Sequence, residues 1–130
     1  MRPPLDKQGC VFCAIADEYV IARNRLAYAV RDTSPVTPLH TLVLPRRHVA
    51  SYFELDADEN AAIDELLQQC RRDVVSQDPS VEGFNIGINI GEVAGQTIFH
   101  CHVHLIPRRI GDVANPRGGV RAVIPGKASY

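Results

Sequence analysis

The sequence predicts an α+β fold on three observations. Residues 99–105 read Phe-His-Cys-His-Val-His-Leu, a period-two alternation of apolar and imidazole side chains that belongs to a β-strand with one buried face. Residues 57–76 carry Ile63, Leu66, Leu67, Cys70 and Val74 at helical spacing, which makes one apolar stripe along a single long helix. The order is strands, helix, strands, which places an antiparallel sheet beside a helix rather than a repeated βαβ unit.

Each element has its own signal. Residues 1–9 read as a flexible N-terminal arm, and Cys10 to Ile15 as the start of a short helix. Ala27–Val30 and Thr41–Leu44 are strands, the first broken by Asp32-Thr33-Ser34-Pro35 and the second closed by Pro45. With Pro35 and Pro38 between them they form a hairpin-like antiparallel pair. The long helix opens on Asp56 as N-cap, with Glu59 three residues on in a capping-box position. Arg71 and Arg72 suit the negative end of its dipole, and Asp78-Pro79 stops it. Its stripe reads as core. Phe84–Ile90 is a third strand with Gly87 inside it, Gly91–Gly95 a loop, and Ile98–Ile106 the histidine strand, ended by Pro107. Asn115 to Gly119 is a loop, and Val120–Ile124 is strand-like.

A length of 130 residues gives one domain with a real core. The net charge of -1 and the lack of a long basic tract exclude a nucleic-acid-coating role. No apolar run is long enough to span a bilayer, and residues 1–6 lack a signal core, so the expectation is a soluble cytoplasmic protein with no membrane partner. Of the four cysteines, Cys70 and Cys101 read as buried small hydrophobes, whereas Cys10 and Cys13 form a Cys-x-x-Cys. A disulfide framework is not expected in such a chain.

The histidine face carries the chemistry. Residues i and i+4 of a strand lie ~13 Å apart, whereas a metal holds histidine nitrogens at about 2.0–2.1 Å. One ion therefore cannot easily take His100, His102 and His104 together. At least one of them serves instead as nucleophile, general acid or base, or phosphate donor. The competing reading is a polar strand face that happens to be rich in histidine. Upstream, Gly95 allows close backbone approach, and Gln96 and Thr97 are neutral donors placed where an anionic oxygen could bind.

Gly95-Gln96-Thr97-Ile98-Phe99-His100-Cys101-His102-Val103-His104-Leu105-Ile106 resembles the signature of the histidine triad superfamily of nucleotide hydrolases and transferases. Cys10-Val11-Phe12-Cys13 resembles the opening of its bacterial members. Pro38 to Pro45 resembles its second strand, with Leu39 where a glycine is usual. The resemblance covers residues 10–109. It implies a HIT-like α+β domain there, with about five antiparallel strands, one long helix and a short N-terminal helix. It further implies a C-terminal tail over 110–130 packing on or near the site, and a homodimer.

The resemblance also implies roles. His102 is the nucleophile that attacks the α-phosphorus of a nucleotide, and water then hydrolyses the nucleotidyl-histidine. His104 and Gln96 donate to the non-bridging phosphate oxygens, and Thr97 assists the leaving group. Asn89 and Gly95 lie near the phosphates, Asp32 binds the ribose hydroxyls, and Phe12 and Ile15 form part of the base pocket. For the last two, ordinary core packing is the alternative. Cys10, Cys13, His48 and His100 match a structural zinc site, a standard closed Cys₂His₂ set. The rival for Cys10 and Cys13 is a redox pair, and His48 is alternatively a surface residue. His40 takes a structural role, hydrogen-bonding the backbone near the nucleophile. Arg108, Arg109, Arg117 and Arg121 contact distal phosphates or are solvated surface charge, and Gly118-Gly119 permits a tight turn close to a ligand. The function implied is hydrolysis of dinucleoside polyphosphates such as diadenosine tetraphosphate, with an adenine nucleotide or dinucleoside polyphosphate as partner. The alternatives are phosphoramidate hydrolysis, nucleotidyl transfer and a non-catalytic nucleotide-binding regulator.

Overall fold

The computed structural model describes residues 8–130. The expected N-terminal arm lies outside the described residues except for Gln8 and Gly9, which form a turn. Five strands build one antiparallel sheet: β1 (Val20–Arg23), β2 (Ala27–Arg31), β3 (Thr41–Pro45), β4 (Val81–Gly87) and β5 (Val103–Arg109). Their spatial order is β1-β2-β3-β5-β4, so β4 and β1 are the edges. The long helix, α1, spans Ala57–Gln77. No helix among the described residues is long and apolar enough to cross a membrane.

The register sorts side chains onto two faces. Val43 opposes Val103 and Ala29, and these residues with Ala27 and Leu105 face α1, where Ile63, Leu66 and Cys70 cover them. Leu42 opposes both His104 and Val30, and Leu44 opposes Tyr28, so these residues form the other face. Cys10 and Phe12 from the N-terminal segment cover the Tyr28–Leu44 part of it. β3 is central and covered on both sides. All five of its residues are buried, which explains its unbroken apolar run.

The helix begins as its capping box requires. Glu59 N donates to Asp56 Oδ1 at 2.8 Å, and Asp56 N donates to Glu59 Oε1 at 3.1 Å. Four stripe residues, Ile63, Leu66, Cys70 and Val74, are buried, while Leu67 packs at the margin. Each fully buried aliphatic side chain contributes roughly 1.5–3 kcal/mol relative to exposure.

Four expectations need correction. The histidine strand starts at Val103, not Ile98, so His100 and His102 lie in an irregular approach segment. The reason is visible in burial: His100 and Cys101 are consecutive yet both buried, which a one-faced strand forbids. Cys101 N donates to Val49 O at 2.7 Å, outside the ladder. Residues 11–14 form a turn rather than a helix, followed by a 3-10 turn at Asp17–Tyr19. The third strand spans Val81–Gly87 rather than 84–90. Lastly, residues 119–123 form a 3-10 turn instead of a strand, entered through Gly118 in the left-handed region at φ 85°. A Cβ on Gly118 would meet Ala128 O at 1.9 Å, so this turn needs glycine there for space as well as for φ.

Candidate active site and metal cluster

His102 precedes β5, and His104 is its second residue. His102 Nδ1 lies 2.8 Å from the carbonyl oxygen of His100. A carbonyl only accepts, so Nδ1 carries the hydrogen and donates it. The neutral ring is left with its lone pair on Nε2. The Phe12 ring packs edge-on against His102, centroids 4.9 Å apart.

His104 is set the opposite way. Val36 N donates to His40 Nδ1 at 3.0 Å, so the His40 hydrogen sits on Nε2. His40 Nε2 then donates to His104 Nδ1 at 2.9 Å, and the His104 hydrogen must sit on Nε2. Two imidazoles 5.2 Å apart thus hold opposite tautomers, one offering a lone pair and the other an N–H. Burial, reinforced by the neighbouring His102 and His40, pushes His104 down to about 4 and keeps it neutral at pH 7. His40 is also held below the usual histidine range by burial, against an opposing pull from Asp32. It supports a side chain of the triad, His104, and not the backbone that the sequence suggested.

Asp32 Oδ2 lies 3.6 Å from His40 Nε2, and its Oδ1 accepts from Ser34 N at 2.7 Å. Asp32, His40 and His104 are close enough to suggest an ion. The tautomers argue against one. A metal on His40 Nε2 would move the hydrogen to Nδ1, where Val36 N–H already points. The group works as a hydrogen-bond relay.

Gln96 departs from the role expected of it. It is buried; its amide nitrogen donates to Ala50 O (2.8 Å) and Ile98 O (3.2 Å), and its oxygen accepts from Gly91 N (2.9 Å). Both N–H groups are taken, so Gln96 staples the loop before the histidines instead of facing a phosphate. Gly95 closes a 3-10 turn, Glu92–Ala94, at φ 94°, and Thr97 beyond it is exposed. Asn89 is half-buried just past β4, and Ile15 packs half-buried on the Phe12 layer.

Of the two readings open for the arginines, the structure favours surface charge for Arg117 and Arg121, which are exposed, and pairs Arg108 and Arg109 with carboxylates. Arg108 lies on the His104 face but is paired bidentately with Asp112 at 2.8 Å and donates to Asn85 at 2.7 Å. That guanidinium holds the Asp112 carboxyl far below the usual range. Arg109 is tied to Asp78 and to Pro38 O. Arg117 and Arg121 stack on Tyr130 within the tail. The tail's 3-10 turn packs against β4, with Gly119 beside Asn85.

The second constellation is Cys10, Cys13, His48 and His100, whose ligand atoms all lie within 4.8 Å of one another. Cys10 Sγ and Cys13 Sγ are 3.5 and 3.4 Å from His100 Nδ1, Cys13 Sγ is 3.4 Å from His48 Nδ1, and the two Nδ1 atoms are 3.3 Å apart. A tetrahedral zinc with ordinary bond lengths requires about 3.3 Å between nitrogens and about 3.6 Å between nitrogen and sulfur. The residues fit the ion. His100 Nε2 donates to Pro45 O at 2.8 Å, which frees Nδ1 as a ligand and fixes the ring. Burial holds His100 below the usual range, which favours the neutral ring that a metal needs.

The segment carrying His48 is pegged on either side of it. Arg47 makes a bidentate pair with buried Glu59 of α1 at 2.7 and 3.0 Å. Val49 O accepts from Cys101 N, and Ala50 O from Gln96. These links, with Val36 N–H and the Pro45 carbonyl, are the parts of the site that sequence reasoning missed. All but the Arg47–Glu59 pair involve backbone groups, which leave no residue-type signal.

Comparison with known proteins places these features. Residues 15–111 match the HIT domain family. A Zn-bound histidine triad family protein from Mycobacterium smegmatis superposes with a TM-score of 0.74 at 34% identity, covering 84% of this chain and 81% of that one. AP-4-A phosphorylase from Mycobacterium tuberculosis is 38% identical over 94 residues, 72% of this chain and 48% of that protein. A Plasmodium falciparum diadenosine triphosphate hydrolase superposes with a TM-score of 0.67 at 30% identity, covering 78% and 68%.

Proposed function

The chain belongs to the HIT domain family, and on that basis we propose that it hydrolyses dinucleoside polyphosphates such as diadenosine tetraphosphate at the α-phosphate. The observation that carries this reading is the bond from His102 Nδ1 to the His100 carbonyl, because it places the ring's hydrogen on Nδ1 and leaves the lone pair on Nε2 for attack. Relatives named for AP-4-A phosphorolysis and diadenosine triphosphate hydrolysis support the substrate class.

His102 Nε2 attacks the α-phosphorus. The N–P bond forms as the bond to the bridging oxygen breaks, and the remaining nucleotide leaves. His104 Nε2–H donates to a non-bridging oxygen, where the transition state carries charge. Water then attacks the nucleotidyl-histidine and frees His102. Asp32 takes the ribose hydroxyls, Thr97, Asn89 and Gly95 surround the phosphates, and Phe12 and Ile15 floor the base pocket. Gln96 positions this loop through the Ala50 carbonyl.

Cys10, Cys13, His48 and His100 hold a structural zinc, which supplies a fixed cross-link between the N-terminal turn, the residues after β3 and the histidine segment. Residues 10–109 form the catalytic domain, carrying the tail over 110–130. Exposed Ile86 on edge strand β4, with exposed Val120, Val123 and Ile124 in the tail, supports a homodimer. The protein works in the cytoplasm.

The test is a panel of diadenosine tetraphosphate, diadenosine triphosphate and adenosine 5′-phosphoramidate, run in labelled water with and without added phosphate. AMP carrying the water label is the expected product. Phosphate-dependent release of ADP assigns transfer to phosphate, the reaction named in the mycobacterial relative. Preference for the phosphoramidate assigns that alternative. Nucleotide binding without turnover of any substrate sinks the enzyme and leaves a regulator.

A further inference from the structure

The metal cluster and the nucleophile share parts. His100 belongs to both: its ring faces the two thiols, and its carbonyl accepts the His102 Nδ1 hydrogen. Phe12 also belongs to both. It sits between Cys10 and Cys13 in the chain, and its ring packs 4.9 Å from His102 and 6.0 Å from His100. Its own carbonyl accepts from the Tyr28 hydroxyl, and Cys13 N donates to Cys10 Sγ at 3.4 Å, which keeps the turn tight. The carbonyl that sets the His102 tautomer and the ring that packs beside it are therefore both carried by the cluster residues or the turn between them.

We infer that Cys10 and Cys13 are an oxidation site that switches the nucleophile off: a peroxide converts them to a disulfide, the cluster opens, and His102 loses its fixed tautomer. The two states exclude each other geometrically. Sulfurs sharing a tetrahedral zinc are about 3.8 Å apart, whereas a disulfide needs about 2.05 Å. Two thiols are lost from the ligand set together, leaving only His48 and His100.

The chemistry balances with a hydroperoxide as oxidant. Cys13 is the more exposed of the pair, and Cys10 is 2% exposed. The Cys13 thiolate attacks the peroxide: S–O forms, O–O breaks, and the departing hydroxide takes a proton to become water. The Cys10 thiolate then attacks the sulfenic sulfur: S–S forms, S–O breaks, and a second protonated hydroxide leaves as water. Two electrons pass from the two sulfurs to the peroxide, and the metal is released without changing its charge. Cys70 and Cys101 are each 1% exposed and stay reduced, which gives an internal control.

The activity consequence rests on the hydrolase reading above, so the experiment carries arms that do not. The zinc-loaded full chain is treated with hydrogen peroxide. Four quantities are followed: disulfide mapping by mass spectrometry, zinc passed to a chromogenic chelator, the ¹⁵N-imidazole spectrum of His102, and cleavage of diadenosine tetraphosphate. The expected result is a Cys10–Cys13 disulfide, release of the zinc, and averaging of the His102 tautomer signals. Turnover should fall about 10- to 100-fold, the usual cost of losing a supporting partner. Dithiothreitol with added zinc should restore all four. Cys13→His keeps four ligands and cannot form the disulfide, so it should resist peroxide relative to its own untreated state. Cys13→Ser, should Cys13→His not fold, should show the averaged His102 spectrum without oxidant. Disulfide formation with an unchanged His102 spectrum overturns the coupling, and reduced Cys10 and Cys13 after peroxide overturn the oxidation site. If the untreated protein cleaves no dinucleotide, the hydrolase reading fails, while the zinc and NMR arms still decide the switch.

Discussion

The two faces of the sheet are held by different physics. On the α1 face, Ala27, Ala29, Val43, Val103 and Leu105 meet Ile63, Leu66 and Cys70 through many weak apolar contacts. None of them depends on the position of a single hydrogen. On the histidine face, the arrangement hangs on single donors and acceptors: Val36 N–H on His40, His40 on His104, and the His100 carbonyl on His102. The first face is redundant, so damage to it reads out as stability. The second is specified atom by atom, so damage reads out as lost chemistry in a protein that still folds.

The sharpest way to break that contrast is at His102, the proposed nucleophile. His102→Ala should reduce turnover by about 10⁴-fold or more, since the neighbouring His104 presents an N–H and not a lone pair. Its half-buried position keeps the stability change near or below about 1 kcal/mol. Steady-state kinetics and urea unfolding on the same preparation decide it. Full activity would remove His102 from its role, and global unfolding would make the two faces equivalent.

Leu66→Ala is the mirror experiment. Leu66 is 0% exposed at the centre of the α1 core, and its truncation should cost about 2–5 kcal/mol in transfer and cavity terms. Activity per folded molecule should be unchanged at a temperature where the variant remains folded. A large fall in kcat there would show that the faces are coupled through β5.

His40 tests the relay. His40→Ala should leave His104 free to exchange tautomers and slow turnover by about 10- to 100-fold, chiefly in kcat. The same rings set an acid limit to stability. His104 has a folded value of about 4 against 6.5 unfolded, so between those values the unfolded chain binds more protons. Stability therefore rises with pH across that window and is lost as pH falls from 6.5 toward 4. His40, lowered in the same direction, adds to the slope. Unfolding followed at several pH values should be steeper below 6.5 in the parent than in His104→Asn, and equal slopes would refute the assignment.

The contrast between the faces also explains what the sequence revealed. The α1 face was legible because period and capping are local: the stripe from Ile63 to Val74 and the Asp56–Glu59 box need only neighbouring residues. The Cys10, Cys13, His48 and His100 cluster was legible by type, though Cys10 and His100 lie far apart in the chain. Period two held for Val103–Leu105 and failed at His100 and Cys101, because contacts to Pro45 and Val49 override local alternation. β1 escaped notice because four residues carry little pattern. Gln96 was legible as a donor, but its acceptors, Ala50 and Ile98, are backbone oxygens that no residue type announces.

Leu39 gives the finest test, because it lies one residue before the His40 relay in the turn that leads into β3. It is the one non-glycine among the described residues with positive φ, at 71°. A left-handed backbone costs an L-residue roughly 1–2 kcal/mol, and glycine avoids that cost while losing roughly 0.5–1 kcal/mol of chain entropy. Leu39 is half-buried, so removing its side chain forfeits some apolar burial as well. The balance predicts that Leu39→Gly raises stability by less than about 1 kcal/mol, a rise of a few degrees in Tm. Leu39→Ala keeps the strain and loses the burial, so it should fall below the parent. The two variants therefore bracket the wild type. If both variants melt below the wild type and Leu39→Gly is no more stable than Leu39→Ala, side-chain packing rather than backbone strain governs the turn. If Leu39→Gly is more stable but slower in kcat, then the strained turn serves the relay by holding His40 against Val36 N–H.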